Sequence, residues 1–483
     1  MKNFLVKEIS LQKDRLAWKI SAMGQDIFEL PAPPINSIVG HLVDLGEDPL
    51  GFLSRCRDYG DIVPLRLGLT PACLLTNPEY IEEVLKNRET FIKSRGFRVL
   101  KTLLGEGLLT AEGESWFWQR RLAQPVFHQK RINEYGQIMV EYSNRMLQAW
   151  HDGEIHDIHA DMMQLTLAIV MKCIFSADVD AGEAKVVANA LDVAMHWFES
   201  KRRQNFLVWE WFPRPENIRY THAVAEMDAA IYKLISDRRQ SSEKTNDLLS
   251  MLMEARDEET QQQMDDKLLR DEVATLMLAG HETTANTLSW TWMLLSQHPE
   301  VQEKLSAELN QVLQGKLPTI QDLSRLPYTQ QVIKESMRLY PPVSLIGREA
   351  TQDTTIGDYE ISQGTTIMIS QWVMHRHPKY FPNPEAFQPE RWTEEFEKQL
   401  PRGVYFPFGD GPRICIGKGF AQMEAALLLA TIAQRFQIEL VPGFPIVPQP
   451  SITLRPEYGI KVQIKEIANQ ASVPEQKQVP VTR

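Results

Sequence analysis

Cysteine is scarce in this chain. Its 483 residues contain four, Cys56, Cys73, Cys173 and Cys415, and no two stand close together. That spacing excludes the dense disulfide framework of small secreted domains and fits a reducing compartment, hence a cytoplasmic location. Long apolar runs are missing from the N-terminus as well. Residues 1–15 are broken by charge every few positions, with no stretch long enough to span a bilayer and no short apolar core followed by a small-residue cleavage site. Leu5, Ile9, Leu16 and Ile20 leave room only for peripheral membrane contact. Positive charge is not in excess either: the net charge is −11, which argues against general nucleic-acid binding. No internal repeat or low-complexity linker divides the chain, so one large domain is its simplest organisation.

Against these absences stands one loop, Phe408-Gly-Asp-Gly411-Pro-Arg413-Ile-Cys415-Ile-Gly417. A thiolate can serve as a permanent ligand to a haem iron and push electron density through the metal to favour O–O cleavage. Such a loop must lack bulk, and Gly411 and Gly417 supply backbone freedom and close approach on either side of the sulfur. Arg413 stands two residues before it, placed for a charge-assisted hydrogen bond to a cofactor carboxylate, and Phe408 is positioned to shield the sulfur from water. Most lone cysteines are simply buried thiols near turns. The pattern Phe-x-x-Gly-x-Arg-x-Cys-x-Gly is too constrained for that, and it resembles the haem-binding loop of the cytochrome P450 family.

A second site lies in a helix expected from about Met264 to Gln297, roughly 50 Å long and able to cross a whole domain. Mid-helix Gly280 costs about 1 kcal/mol against alanine and implies close approach to its backbone. Thr283 and Thr284 can bond the carbonyls of Ala279 and Gly280, which bends and opens a helix, while Glu282 adds a carboxylate suited to proton delivery. The segment Ala279-Gly-His-Glu282-Thr283-Thr284 is similar to the oxygen-activation segment of cytochromes P450. The resemblance implies that Thr283 holds a hydrogen-bond network beside bound dioxygen and that Glu282 feeds it, with His281 in a supporting place.

Glu335 and Arg338 stand three apart on one helix face. Such pairs are commonplace on surfaces. Before Pro341-Pro342, however, Glu-x-x-Arg matches a structural signature of the same family, whose third partner is here Arg391 in Pro389-Glu-Arg-Trp392. The resemblance implies a buried network holding the Cys415 loop. Trp116 and Arg120, four apart on one face, resemble the family's Trp-x-x-x-Arg pair; with Arg348 and Arg413 they are implied donors to the two haem propionates. His156 with His159, and His375 with His377, have chelating spacings but lack a second ligand pair, so zinc is not expected.

Residues 57–77 read as a small sheet, most of 80–340 as helix broken near 237–246 and 257–263, and the stretch after Pro341 as strands before a last helix from Gly419 to Phe436. The resemblance therefore implies a mainly α fold with a small β region, a single cytochrome P450 domain over residues 31–465. An N-terminal extension (1–30) precedes it and a polar, disordered tail (466–483) follows.

The implied enzyme is a haem b (iron protoporphyrin IX) monooxygenase, inserting one oxygen atom from O2 into a lipophilic substrate. A haem-thiolate peroxygenase or isomerase would not need Glu282 and Thr283, and a haem-thiolate sensor would need an output domain. No segment after Phe436 is long enough for a reductase, so electrons are expected from a ferredoxin or flavodoxin with its reductase, the enzyme itself acting as a monomer. Arg120, Arg121, Lys130, Arg131, Arg402 and Lys418 offer a basic docking face or, equally, scattered solvated charge. The expected pocket walls are apolar: 91–100, 197–211, 276–279, 343–346 and 452–454. They point to a fatty acid or terpenoid, with Arg95 or Arg98 either anchoring a carboxylate or facing solvent.

Overall fold

Aliphatic and β-branched residues on either side of a turn make Ile62–Leu67 (β1) and Thr70–Leu75 (β2) an antiparallel hairpin. Gly68, at φ +65°, takes the left-handed conformation that the turn demands. Phe91–Lys93 (β3), Ile346–Ala350 (β4) and Thr366–Ile369 (β5) complete a five-stranded sheet in the order β1-β2-β5-β4-β3. Within it β2 and β5 run parallel, and Lys93 lies directly opposite Arg348. The computed structural model describes residues 25–467 except 36, 178–181, 204–213, 242–244, 246 and 258–259. The expected N-terminal extension up to residue 24, the tail from 468, residues 204–211 and the side chains of 199–203 in the expected 197–211 wall, and the side chains of Lys130 and Arg131 lie outside the described residues.

Helices make up most of the rest. The principal ones are Gly113–Ala123 (α1), Gln129–Leu147 (α2), Ile158–Phe175 (α3), Gly182–Arg203 (α4), Pro215–Gln240 (α5), Asp266–Gln297 (α6), Pro327–Leu339 (α7) and Lys418–Ala433 (α8). Asp265 starts α6 by accepting the Leu268 N–H at 2.8 Å, which sets its first residue two positions after Met264. From Leu269 to Leu295 nearly every side chain of α6 is buried, as expected for a helix packed on all sides. Its main neighbour is α3, whose mean hydropathy of 1.4 matches a membrane span by composition but whose apolar side chains are spent on this contact. The last helix begins one residue earlier and ends sooner than its sequence suggests. Phe436 opens a strand, Phe436–Leu440, paired with Lys461–Glu466, because its ring is buried against Trp150.

α7 stops at Leu339, just before Pro341-Pro342, and its last turn carries the pair Glu335 and Arg338, both wholly buried. Arg338 Nε and Nη2 donate to the two Glu335 oxygens at 2.8 and 2.9 Å. Its remaining N–H groups go to the carbonyls of His375, Pro384 and Ala386. Arg391 Nε and the Gln388 N–H also reach Glu335 Oε1, at 2.9 and 3.0 Å, and Trp392 Nε1 reaches Oε2 at 2.9 Å. A carboxylate that accepts five hydrogen bonds can remain charged in a core. The triad therefore clamps residues 382–392 directly. It meets the cysteine loop one step away, where the Phe406 N–H donates to His375 Nε2 at 3.0 Å and Tyr405 donates to the Lys334 carbonyl.

Arg338→Met leaves Glu335 buried without its main partner, and we expect a loss of about 3–5 kcal/mol in urea unfolding. His375 is held neutral by burial and by Arg338 and Arg376, its pKa lowered from 6.5 to about 3. Between those values the unfolded chain takes up a proton that the folded one refuses, so stability falls as pH drops from 6.5 towards 3. His375→Gln, which keeps an acceptor for Phe406, should flatten that slope in acid unfolding followed by circular dichroism.

Candidate active site

The cysteine loop is built from backbone. The Cys415 N–H donates to the Phe408 carbonyl at 2.9 Å, closing the loop on itself, and Arg120 Nη1 braces it from α1 through the Ile414 carbonyl at 2.8 Å. Gly411 has φ +69°, and a Cβ there would sit 2.4 Å from the Leu85 carbonyl oxygen, so the position is closed to any side chain. Gly417 differs from the expectation of backbone freedom. It takes an ordinary φ of −83° and caps α8, and an added Cβ would come to 4.0 Å from Cys415 Sγ.

Cys415 is the exposed cysteine among the four; the other three are buried. Crowding by the surrounding loop pushes its pKa up, while the Gly417 N–H, Arg120 and Lys418 draw it down. Cys73 offers the contrast: fully desolvated with nothing to offset it, its thiol is raised to about 12. Phe408 is half-buried at the loop's start, with Lys418 Nζ 5.9 Å from its ring centre.

Beside the loop lies an unusual concentration of buried positive charge. The Arg413 guanidinium packs over the Trp116 ring at 4.4 Å, donates to the Ala111 carbonyl at 2.9 Å and pairs with Glu112. Arg348 on β4 is buried, and its pKa is lowered to about 10 by desolvation and by Arg413. Lys93 on β3 is held well below its usual range by burial and by Arg413. Its ammonium meets the Leu109 carbonyl, and its backbone N–H meets Glu112 at 3.0 Å. Three desolvated cations thus share one carboxylate. A cluster so charged is completed by an anion, and a haem with two carboxylates and an iron seeking a thiolate fits it.

One strip of α6 is open. Leu276, Ala279, Gly280 and Thr283, spaced i, i+3, i+4 and i+7, have partial or full exposure on a helix buried elsewhere. Thr283 Oγ1 donates to the Ala279 carbonyl at 2.8 Å, as its position suggests. The expected break in the helix does not follow: α6 is continuous, and Thr284 makes no such bond. What approaches Gly280 is Val170 of α3, 3.1 Å from where a Cβ would stand. Glu282 sits away from the strip, buried, with Oε1 accepting from Thr453 Oγ1 at 2.6 Å and from Arg455 Nη2 at 2.5 Å, and Oε2 without a bond. Thr453 and Arg455 come from the hairpin of Pro448–Pro450 (β6) and Leu454–Pro456 (β7). His281 is buried with Nδ1 3.0 Å from the Met277 carbonyl.

Other candidates are committed elsewhere. Arg95 and Arg98 both face solvent, as one of the two expectations had it, and pair there with Glu349 at 3.2 and 3.3 Å. Arg121 is bonded to Asp257 at 2.5 Å, and Arg402 lies 3.6 Å from Glu82. His156 lies between Asp161 and Glu154, whereas His159 turns to Asn286 at 3.1 Å. The functional residues that sequence reasoning missed are Lys93, Glu112, Thr453 and Arg455. For Glu112 a signal existed, since Glu112, Trp116 and Arg120 follow one another at four-residue steps on one helix face.

Arg348→Leu should leave the fold intact and loosen the cofactor. We expect faster haem transfer to apomyoglobin than from the unaltered protein, with Lys93→Met acting in the same direction.

The cytochrome P450 family model matches residues 30–464. Cyclooctat-9-en-7-ol 5-monooxygenase from Streptomyces melanosporofaciens is 36% identical over 412 residues, 85% of this chain and 90% of that protein. Pentalenene oxygenase from Streptomyces avermitilis is 32% identical over 420 residues, covering 86% and 93%. Among solved structures, the cytochrome P450DA heme domain superposes with a TM-score of 0.82 at 28% identity, over 91% of this chain and 98% of that one. The chain belongs to the cytochrome P450 family.

Proposed function

We propose that Cys415 would supply the thiolate for a haem iron, that Arg348, Arg413, Trp116, Arg120 and Lys93 would hold the haem carboxylates, and that the enzyme hydroxylates a terpenoid. The protein is a cytochrome P450 monooxygenase with haem as its cofactor, taking O2, a lipophilic substrate and electrons from a redox partner. The reading is carried by Cys415, the exposed cysteine of the four, whose thiol burial pushes up while the Gly417 N–H, Arg120 and Lys418 draw it back down. When bound, haem supplies the activation of dioxygen, and the thiolate supplies the electron density that favours O–O cleavage.

The chain's own residues do the rest. Leu276 and Ala279 offer an apolar wall to the substrate, and Thr283 is the hydroxyl on that wall. Its bond to the Ala279 carbonyl leaves the oxygen free to accept from a water, which it holds for proton transfer. Glu282 is buried away from this strip, with Oε1 held by Thr453 and Arg455, so its unbonded Oε2 would feed that water only through further waters. Relatives that act on cyclooctat-9-en-7-ol and pentalenene support a terpenoid substrate. Arg95 and Arg98 face solvent beside Glu349, which disfavours their anchoring a fatty acid's carboxylate. Lys418, three residues after the cysteine, is exposed, which supports docking of an acidic ferredoxin or flavodoxin on this side. The enzyme acts in the cytoplasm as a monomer.

Thr283→Ala should cut product formation by roughly 10²-fold while reduced cofactor is still consumed, the electrons leaving as peroxide. The measurement is product and peroxide formed per NADPH, with surrogate reductases. Turnover with peroxide alone that is indifferent to Thr283 contradicts the reading and favours a peroxygenase. A panel of terpenes, steroids and fatty acids titrated against the haem absorption band tests the substrate class. Terpenes are expected to shift it at the lowest concentrations.

A further inference from the structure

The segment that carries the buried cation cluster is itself held from behind. Within residues 105–112, the Leu109 and Ala111 carbonyls take Lys93 and Arg413, and the Glu112 carboxylate takes the Arg413 guanidinium and the Lys93 N–H. The Leu108 side chain packs with Ala111, Trp116 and Ile416, beside the cysteine. Whatever fixes this segment therefore aims the donors that face the haem carboxylates. Two adjacent acids on α6 fix it: Asp271 Oδ2 accepts the Glu106 N–H at 2.9 Å, and Glu272 Oε1 accepts the Leu108 N–H at 3.1 Å. Gly105 and Gly107 admit the helix this closely, since a Cβ on Gly105 (φ +57°) would overlap the Asp271 carboxylate and one on Gly107 the Thr275 hydroxyl. Gln119 on α1 donates to the Glu106 carbonyl at 2.9 Å, and Thr110 closes the segment on the Gly105 carbonyl.

The two acids are not equivalent. Asp271 has a cation, Arg270 at 3.0 Å, which also pairs with Asp228 of α5. Glu272 is wholly buried, bonded to the Leu108 N–H through Oε1, and its Oε2 makes no bond. A carboxyl so placed keeps its proton. Burial pushes its pKa up to about 8, with the Leu108 N–H opposing and Asp271 adding to the rise. From α5, Asp228 and Tyr232 act on Arg270 and Asp271 instead. In and beside the segment, Glu106 pairs with Lys101, and α1 presents the neutral Gln119. Among the described residues α3, α7 and α8, also packed on α6, bring no charge that acts on Glu272.

We propose that residues 105–112 form a strap at the carboxylate end of the haem, and that Glu272, acting through the Leu108 N–H, is the positioning residue that latches it. The neutral carboxyl keeps the strap closed. On ionising, Glu272 becomes a buried anion beside Asp271 with a single hydrogen bond, and an open strap in which water reaches it is then favoured. In the closed strap the group keeps its proton up to about 8, whereas in water it loses it at about 4.5. Opening therefore releases a proton between those values. It grows easier by up to about tenfold for each pH unit from 4.5 to 8 and levels off beyond. The cofactor role rests on the haem reading above; the latch does not.

Haem transfer from the holoenzyme to apomyoglobin, measured as a function of pH, tests the role. Glu272→Gln keeps an acceptor for Leu108 and cannot ionise, so its release should fall progressively behind the wild type as pH rises, by at least about tenfold at pH 8, with a constant ratio above that. Glu272→Leu removes the acceptor and should release haem faster than Glu272→Gln at every pH. Backbone hydrogen exchange of residues 105–112, read by mass spectrometry on the same proteins, tests the latch without reference to the cofactor. The segment should be protected in Glu272→Gln and exchange fastest in Glu272→Leu. Equal exchange in the wild type and both variants overturns the latch. A ratio of wild-type to Glu272→Gln haem release that does not change with pH overturns the cofactor role; because Gln is the isosteric change, this comparison decides even should Glu272→Leu fail to fold. If exchange separates the variants as expected but the chain binds no haem, the latch stands and the haem reading is what fails.

Discussion

Everything in this molecule that bears on oxygen chemistry depends on keeping one sulfur open while the chain crowds around it. A thiolate in an apolar site is costly, and a thiolate in water is an ordinary nucleophile. The loop resolves this with backbone rather than side chains. The bond from the Cys415 N–H to the Phe408 carbonyl folds the chain back, Gly411 permits the close pass over Leu85, and the Gly417 N–H stabilises the sulfur. Arg120 reaches the same loop through the Ile414 carbonyl, so the helix that carries Trp116 is tied to the cysteine.

Buried charge is handled in two opposite ways on either side of that loop. At Glu335 the carboxylate is saturated by donors from Arg338, Arg391, Trp392 and the backbone of Gln388, and nothing further is needed. A saturated group of this kind is scaffold. At Lys93, Arg348 and Arg413 the cations outnumber their single carboxylate, Glu112, and depress one another's proton affinity. A group left in deficit is a binding site, because its electrostatic balance is completed by a ligand. The difference between the two clusters supports placing the cofactor beside Lys93, Arg348 and Arg413, on physical grounds alone.

Much of this was legible in the sequence, and what was not has a physical reason. The Cys415 loop, the Glu335, Arg338 and Arg391 triad and the extent of the long helix could be read, because each depends on spacing within a short segment. Glu282 could not be placed, since one helical residue turns the side chain by about 100° and adjacency to Thr283 says nothing of the direction it faces. Gly280 implied a close approach to its backbone, but not that the approaching group is Val170, a contact between helices far apart in sequence. Arg95, Arg98 and Glu349 meet across some 250 residues, and no local pattern foretells it. Buried Lys93 was invisible for the same reason: its burial is a property of the assembled sheet.

The most direct test of the central claim is the absorption spectrum of the reduced, carbon-monoxide-bound protein, alone and as Cys415→His. A thiolate donor opposite carbon monoxide shifts the Soret band far to the red, and the account predicts that band for the native chain and its loss in the variant with haem still bound. A native spectrum without the shift, or a shifted band that survives the substitution, contradicts it.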